Sequence, residues 1–297
     1  MRQHQFVCAI TVSILLSIPL IPFAAYPATD QEFAVILNLS GKQRMLTQKM
    51  SKEILLVASG VDASANKANL KKTADLFDKT LKGLIAGDAD LGLVAAENKK
   101  IVKQLKKVQG LWGSFRKNVD AVLGGDTSKP VLEKVAKENL PLLKNMNRCV
   151  KMFENDAKKG GGAKMGAGMA TVINLAGKQR MLTQKMTKEL LLVANGINAD
   201  KNKLNLKKTA SLFDRTLKGL LDGDKDLELP GTHDDAIRAQ LATVAKLWQG
   251  YKPLVDKVVA SSSNDVSPVD LGVAAKVNLP LLKNMNKAVG MYQKSVK

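Results

Sequence analysis

The sequence predicts an all-α protein built as two tandem up-down four-helix bundles joined by a Gly-rich linker. Three observations lead there. The ten residues GKQRMLTQKM occupy positions 41–50 and return unchanged at 177–186, 136 positions on. Around them, residues 38–88 agree with 174–224 at about three positions in four, the mark of an internal repeat. Apolar residues recur at threes and fours throughout, and no stretch keeps the period-two alternation of a strand.

The elements follow in order. Residues 1–28 hold one charge, Arg2, and an apolar run, VCAITVSILLSIPLIPFAA, that stops at small residues before Thr29 and Asp30. This reads as a secretory signal peptide. Phe23 and Tyr26 stand where a cleavage site wants small residues, so an uncleaved inner-membrane anchor is the alternative. The first bundle is expected over 29–157, with helices at about 31–60, 66–86, 91–123 and 130–156. KKGGGAKMGAG at 158–168 is too rich in glycine for a stable helix and reads as a linker. The second bundle is expected over 169–297, with helices at about 169–196, 202–222, 233–260 and 268–295. Pro141 and Pro280 fall inside the fourth helix of each unit, where a kink or break is expected. On the first helix, Leu39, Leu46, Met50, Ile54, Val57 and Val61 share a face and are assigned to the core.

Composition narrows the function classes. The chain of 297 residues carries a formal net charge of +19, which implies acidic partners. With Cys8 and His4 inside the signal, Cys149 and His233 are the only cysteine and histidine left, so an intrachain disulfide, a histidine-based metal site and a Ser-His-Asp triad are excluded. We find no nucleophile beside a base and no phosphate loop, and expect a non-enzymatic protein that needs no cofactor. Met45, Met50, Met181 and Met186 read as core filler, and Trp112 and Trp248 as bundle anchors. Low aromatic content argues against nucleic acid as a partner.

A second face of the first helix is more informative. Leu37, Gly41, Arg44, Gln48 and Leu55 share it. Glycine inside a helix costs about 0.5–1 kcal/mol relative to alanine, so its presence twice points to close approach of another helix. Gly177, Arg180 and Gln184 repeat the arrangement, which makes the other first helix the economical partner. Two arginines would then face each other, and an anion between them would offset their repulsion through the paired hydrogen bonds of guanidinium. Gln48 and Gln184 could add donors, and Lys42 and Lys178 could raise the local potential. The other reading makes Arg44 and Arg180 solvated residues, or partners of Glu32 or Asp30.

NLSGKQRMLTQKM and INLAGKQRMLTQKM resemble the signature of the PilJ-type domain, the N-terminal sensory domain of type IV pili chemotaxis transducers, shared with periplasmic nitrate/nitrite sensor kinases. NLPLLKNMN, at 139–147 and 278–286, is similar to that family's closing motif. The resemblance implies a four-helix bundle that pairs with a second one, with the motif arginine of each partner gripping one anion, here Arg44 beside Gly41 and Arg180 beside Gly177. A lysine two places before the glycine marks the nitrate sensors; Leu39 and Leu175 stand there, so the ligand is an anion of unknown identity. The extended linker reaches about 36 Å, enough for one chain to contain its own pseudo-dimer, the alternative being a homodimer.

Two functions follow. The first is a periplasmic or secreted, non-enzymatic sensory module for a small anionic ligand, chemotaxis-related, that signals through a separate membrane receptor or kinase. The second is a basic structural or polyanion-binding envelope protein, in which Lys99, Lys100, Lys103, Lys106 and Lys107 lie against acidic lipid or polysaccharide.

Overall fold

The computed structural model describes residues 28–159 and 167–296. Among these, the secondary structure is helical apart from two isolated antiparallel bridges. The first half holds α1 (Asp30–Ala58), α2 (Ala63–Ala86), α3 (Lys99–Leu123) and α4 (Lys129–Lys159), and the second α5 (Ala167–Ala194), α6 (Ala199–Asp222), α7 (Asp235–Ala260) and α8 (Pro268–Ser295). All but Ala28 of the signal expected over 1–28, and most of the linker expected over 158–168, lie outside the described residues; α4 runs to Lys159 and α5 starts at Ala167.

Polar contacts give the topology of each half. Gln43 and Lys49 reach Phe77 and Thr73, Trp112 and Arg116 reach Asp78 and Asp75, and Gln104 and Asn118 reach Asn145 and Glu138. In each pair one number rises as the other falls, so successive helices are antiparallel, as in an up-down bundle. A tilted pair of aromatic rings anchors each core. Phe77 meets Trp112 at 4.6 Å between centroids, and Phe213 meets Trp248 at 5.0 Å; both indoles donate to an aspartate, Asp78 and Asp214.

The halves pack together through α1 and α5, flanked by α4 against α5 and by α8 against α1. Gly41 meets Gly177, and Ser59 accepts from Asn195, its own counterpart in the repeat. Equivalent residues meet at both places, so α1 and α5 run parallel and in register about a pseudo-two-fold axis.

That packing corrects the expected core stripe. Leu46, Met50 and Ile54 are buried, but Leu39, Val57 and Val61 are only half-buried. The middle of α1 is instead buried nearly all round, because its own bundle covers one side and the second half covers the other. One further expectation changes. α3 begins at Lys99 rather than near 91, because Asp88 caps a 3-10 turn at Ala89–Leu91 and exchanges backbone hydrogen bonds with Leu93, which closes the end of the bundle before the helix starts. α4 and α8 run unbroken through Pro141 and Pro280, so neither proline ends its helix.

Candidate functional site where α1 crosses α5

The site is built on the two glycines. A Cβ added at Gly41 would lie 3.9 Å from the Gly177 Cα, so the helix backbones approach closely here. The same added atom would lie 3.3 Å from Arg44 Nη2 and 3.4 Å from Arg180 Nη2; at Gly177 the distances are 3.3 Å to Arg180 and 3.5 Å to Arg44. Both guanidiniums therefore converge on the crossing, and each arginine is 1 % exposed.

Their partners are neutral. Arg44 donates to Asn147 Oδ1 at 3.0 Å and across the seam to the Asn174 carbonyl at 3.0 Å. Arg180 donates to Asn286 Oδ1 at 2.9 Å and across the seam to Asn38, side chain at 2.7 Å and carbonyl at 2.9 Å. Nε of each arginine is buried without a partner. Burial, against the favourable charge of Glu154, lowers Arg44 to about 10; burial together with the repulsion of Arg44 lowers Arg180 to about 9. Solvated arginines, or arginines paired with Glu32 or Asp30, are thus not what forms: Glu32 closes a capping box with Thr29 instead.

At the crossing the pseudo-symmetry breaks around Asn38 and Asn174. Asn174 donates to Glu154, a buried carboxylate also paired with Lys151 and Lys158, whereas Asn38 donates to Gln293 at the matching position. Arg44 therefore has a negative charge one residue removed, and Arg180 a neutral amide.

Lys42 and Lys178 lie half-buried beside the crossing. Burial, aided by repulsion from the arginine of the opposite half, lowers both below the usual lysine value. Asn147 and Asn286 are exposed, so the buried guanidiniums lie just beneath the surface of α4 and α8. A cleft of ≈ 370 Å³ lined by Lys42, Met45, Leu279, Lys283 and Asn286 opens next to Arg180.

Gln48 and Gln184 sit one turn further along and serve a separate polar layer. Asn139 Oδ1 accepts from Gln48 at 2.9 Å and from Lys188 of the other half at 3.3 Å, while its Nδ2 donates to the Thr47 carbonyl at 2.8 Å. Asn278 does the same with Gln184 at 2.8 Å, Lys52 at 3.0 Å and Thr183. Lys52 and Lys188 are almost fully buried, and burial pushes both down to about 8. Asn139→Ala is expected to cost about 2–3 kcal/mol, because it strips an acceptor from a buried amide and a buried ammonium at once. Chemical denaturation measures this, and a loss below about 0.5 kcal/mol would mean that other groups satisfy both donors.

The remaining members of the repeated decapeptide also point inward. Gln43 donates to the Phe77 carbonyl, Thr47 to the Arg44 carbonyl, and Lys49 to Thr73 and Glu53. Asn38, Asn147, Lys52 and their counterparts Asn174, Asn286 and Lys188 were not singled out from the sequence. Asn147 and Asn286 carried a signal, since both copies of NLPLLKNMN keep all three of their asparagines.

The family described as type IV pili methyl-accepting chemotaxis transducer N-terminal domain, PilJ, matches residues 28–137 and again 164–271. The chain belongs to the PilJ family. Both matched segments of this tandem PilJ protein end just short of Asn139 and Asn278, so the NLPLLKNMN likeness falls outside them. A curated relative is the methyl-accepting chemotaxis protein McpN of Pseudomonas aeruginosa, 31% identical over 119 residues that make up 40% of this chain. The match spans 21% of that relative's length. PilJ membership makes the tandem a sensory or signalling module. No described helix is long and apolar enough to cross a membrane, and no cluster of metal-ligating residues occurs among the described residues.

Proposed function

We propose that this PilJ tandem is an extracytoplasmic, non-enzymatic sensory module whose ligand is a small oxyanion held between Arg44 and Arg180. The observation that supports it is the meeting of two buried guanidiniums at a glycine crossing where every direct hydrogen-bond partner is neutral. Buried cations without a counter-charge are costly, and an oxyanion replaces weak neutral acceptors with charge-assisted bonds. Lys42 and Lys178 raise the potential of the approach, and Gly41 and Gly177 leave room that a side chain would fill. In this reading residues 1–28 export the chain, and the two bundles, 29–157 and 169–297, hold one ligand between them.

The way such a site would signal follows from its contacts. Each arginine ties its own helix to a backbone carbonyl of the other first helix. An anion that draws both guanidiniums to itself releases the Asn38 and Asn174 carbonyls and shifts α1 against α5. The shift would pass to a separate membrane receptor or kinase.

Thermal shift against nitrate, nitrite, formate and sulfate tests the reading. At least one anion at about 100 times its dissociation constant is expected to stabilise by about 2.7 kcal/mol, at one anion per chain. The Arg44→Ala, Arg180→Ala double variant should show no response. Stabilisation by none of them, or an equal response in the variant, would overturn the proposal.

A polyanion-binding face is the second reading. Lys99, Lys100, Lys103, Lys106 and Lys107 are all exposed along α3. Salt-sensitive binding to anionic vesicles would favour it.

A further inference from the structure

We propose that the groove between the halves, walled by α4, α5 and the start of α6, is a second binding site, for a small organic carboxylate that also carries a hydroxyl or ammonium group. The groove holds ≈ 750 Å³. That is the size of a small-molecule site, roughly 300–1,000 Å³, and far more than a bare inorganic ion needs. Apolar walls from Leu140 of α4 and Leu192 of α5 suit an organic body.

Three features point to a carboxylate. Lys188 lines the groove, is 4 % exposed, and makes a single hydrogen bond, the 3.3 Å contact with Asn139. An ammonium has three donors, so two of its protons have no protein acceptor and are available to a ligand in the groove. α6 opens into the same groove. Its cap residue, Asn198, is left-handed and makes no side-chain bond to the first turn, which leaves amide donors and the positive end of a 24-residue helix uncapped. Lys201, in that first turn, also lines the groove, while Asp200 beside it is exposed and does not.

Two features ask for a donor on the ligand. Glu189 also lines the groove and is 1 % exposed; Lys185 takes its Oε1, and its Oε2 is buried with no partner. Glu133 supplies an exposed carboxylate from α4. A ligand with an anionic end towards Lys188 and α6, and a hydroxyl or ammonium towards the carboxylates, satisfies both sets.

The site belongs to one side of the pseudo-dimer. At the positions that match Glu133, Asn198 and Lys201 stand Gly272, Asp62 and Ala65, which remove a carboxylate, place an acid at the helix start and remove a lysine. One ligand per chain is therefore expected, away from the arginine crossing.

Isothermal titration of the full chain with L-malate, L-serine and succinate tests this. Malate or serine should bind at one per chain, with succinate, which lacks the donor, at least about tenfold weaker. Lys201→Ala, which copies Ala65, should weaken binding about tenfold, and Lys188→Met should abolish it, with folding of each variant verified by its melting curve. The Arg44→Ala, Arg180→Ala variant should bind as the parent does, which separates this site from the anion site. No binding of malate or serine at millimolar concentration, equal binding of succinate, binding that survives Lys188→Met, or loss in the arginine variant would overturn the proposal.

Discussion

Replacing Gly41 and Gly177 together with leucine is expected to destabilise the protein by about 5 kcal/mol or more, which urea denaturation will register as a large fall in midpoint. The first carbon of each new side chain would already lie 3.3–3.5 Å from the two guanidinium tips. Three more carbons per residue have no space, and overpacking of this kind costs about 1–3 kcal/mol at each site. Displaced guanidiniums would also lose the Asn38 and Asn174 carbonyls and remain buried as unpaired charges, which adds a penalty of similar size. Gly41→Ala behaves differently. Its methyl is tight only against side-chain arginine tips and meets the Gly177 Cα at an ordinary 3.9 Å, and alanine favours the helix by about 1 kcal/mol, so the net change is expected to stay within about 1 kcal/mol. If the leucine pair is as stable as the parent, α1 and α5 do not cross at these residues in solution.

Lys52→Met together with Lys188→Met is expected to raise stability at neutral pH, with a ceiling on the order of 3 kcal/mol per lysine. Both ammonium groups are held at about 8, below the ordinary lysine value of 10.5. A folded value under the unfolded one means that folding disfavours the charged form. The penalty is complete below about pH 8 and is relieved as pH rises from about 8 towards 10.5, where the unfolded chain gives up its proton as well. Methionine keeps most of the packing of the lysine stem, and Asn139 and Asn278 keep Gln48 and Gln184 as donors. The advantage of the variant should therefore be largest at pH 6–7 and shrink by pH 10. Melting curves of both proteins across that range decide it; a variant less stable than its parent at pH 7, or an advantage that does not change with pH, would sink the argument.

The crossing of α1 and α5 was legible because its signals are local. Gly41 and Arg44 share a helix face and recur at Gly177 and Arg180, so period and repeat together pointed one first helix at the other. The acceptors that hold the arginines were harder to see. Asn147 lies 103 residues from Arg44, and Asn174 is 130 residues away in the other half. The pairing is made by the packing of α4 and α5 around α1, which helical spacing does not encode. Lys52 and Lys188 carried a misleading signal, since a lysine followed by glutamate on a helix ordinarily marks a solvated face.

By itself the sequence determined the helices and the duplication, and it offered a meeting of the first helices at Gly41 and Gly177 as one of two readings, because each depends on spacing along a helix and on the one residue that lacks a side chain. Only the tertiary structure decided which polar groups lose water. α1 is covered by its own bundle on one side and by the second half on the other, so Lys52 and Arg44 are buried against residues more than 100 positions away, and Glu154 against Gln293 makes the two arginines unequal. Burial by a distant partner changes the energy of a charge without leaving any periodic trace in the chain that carries it.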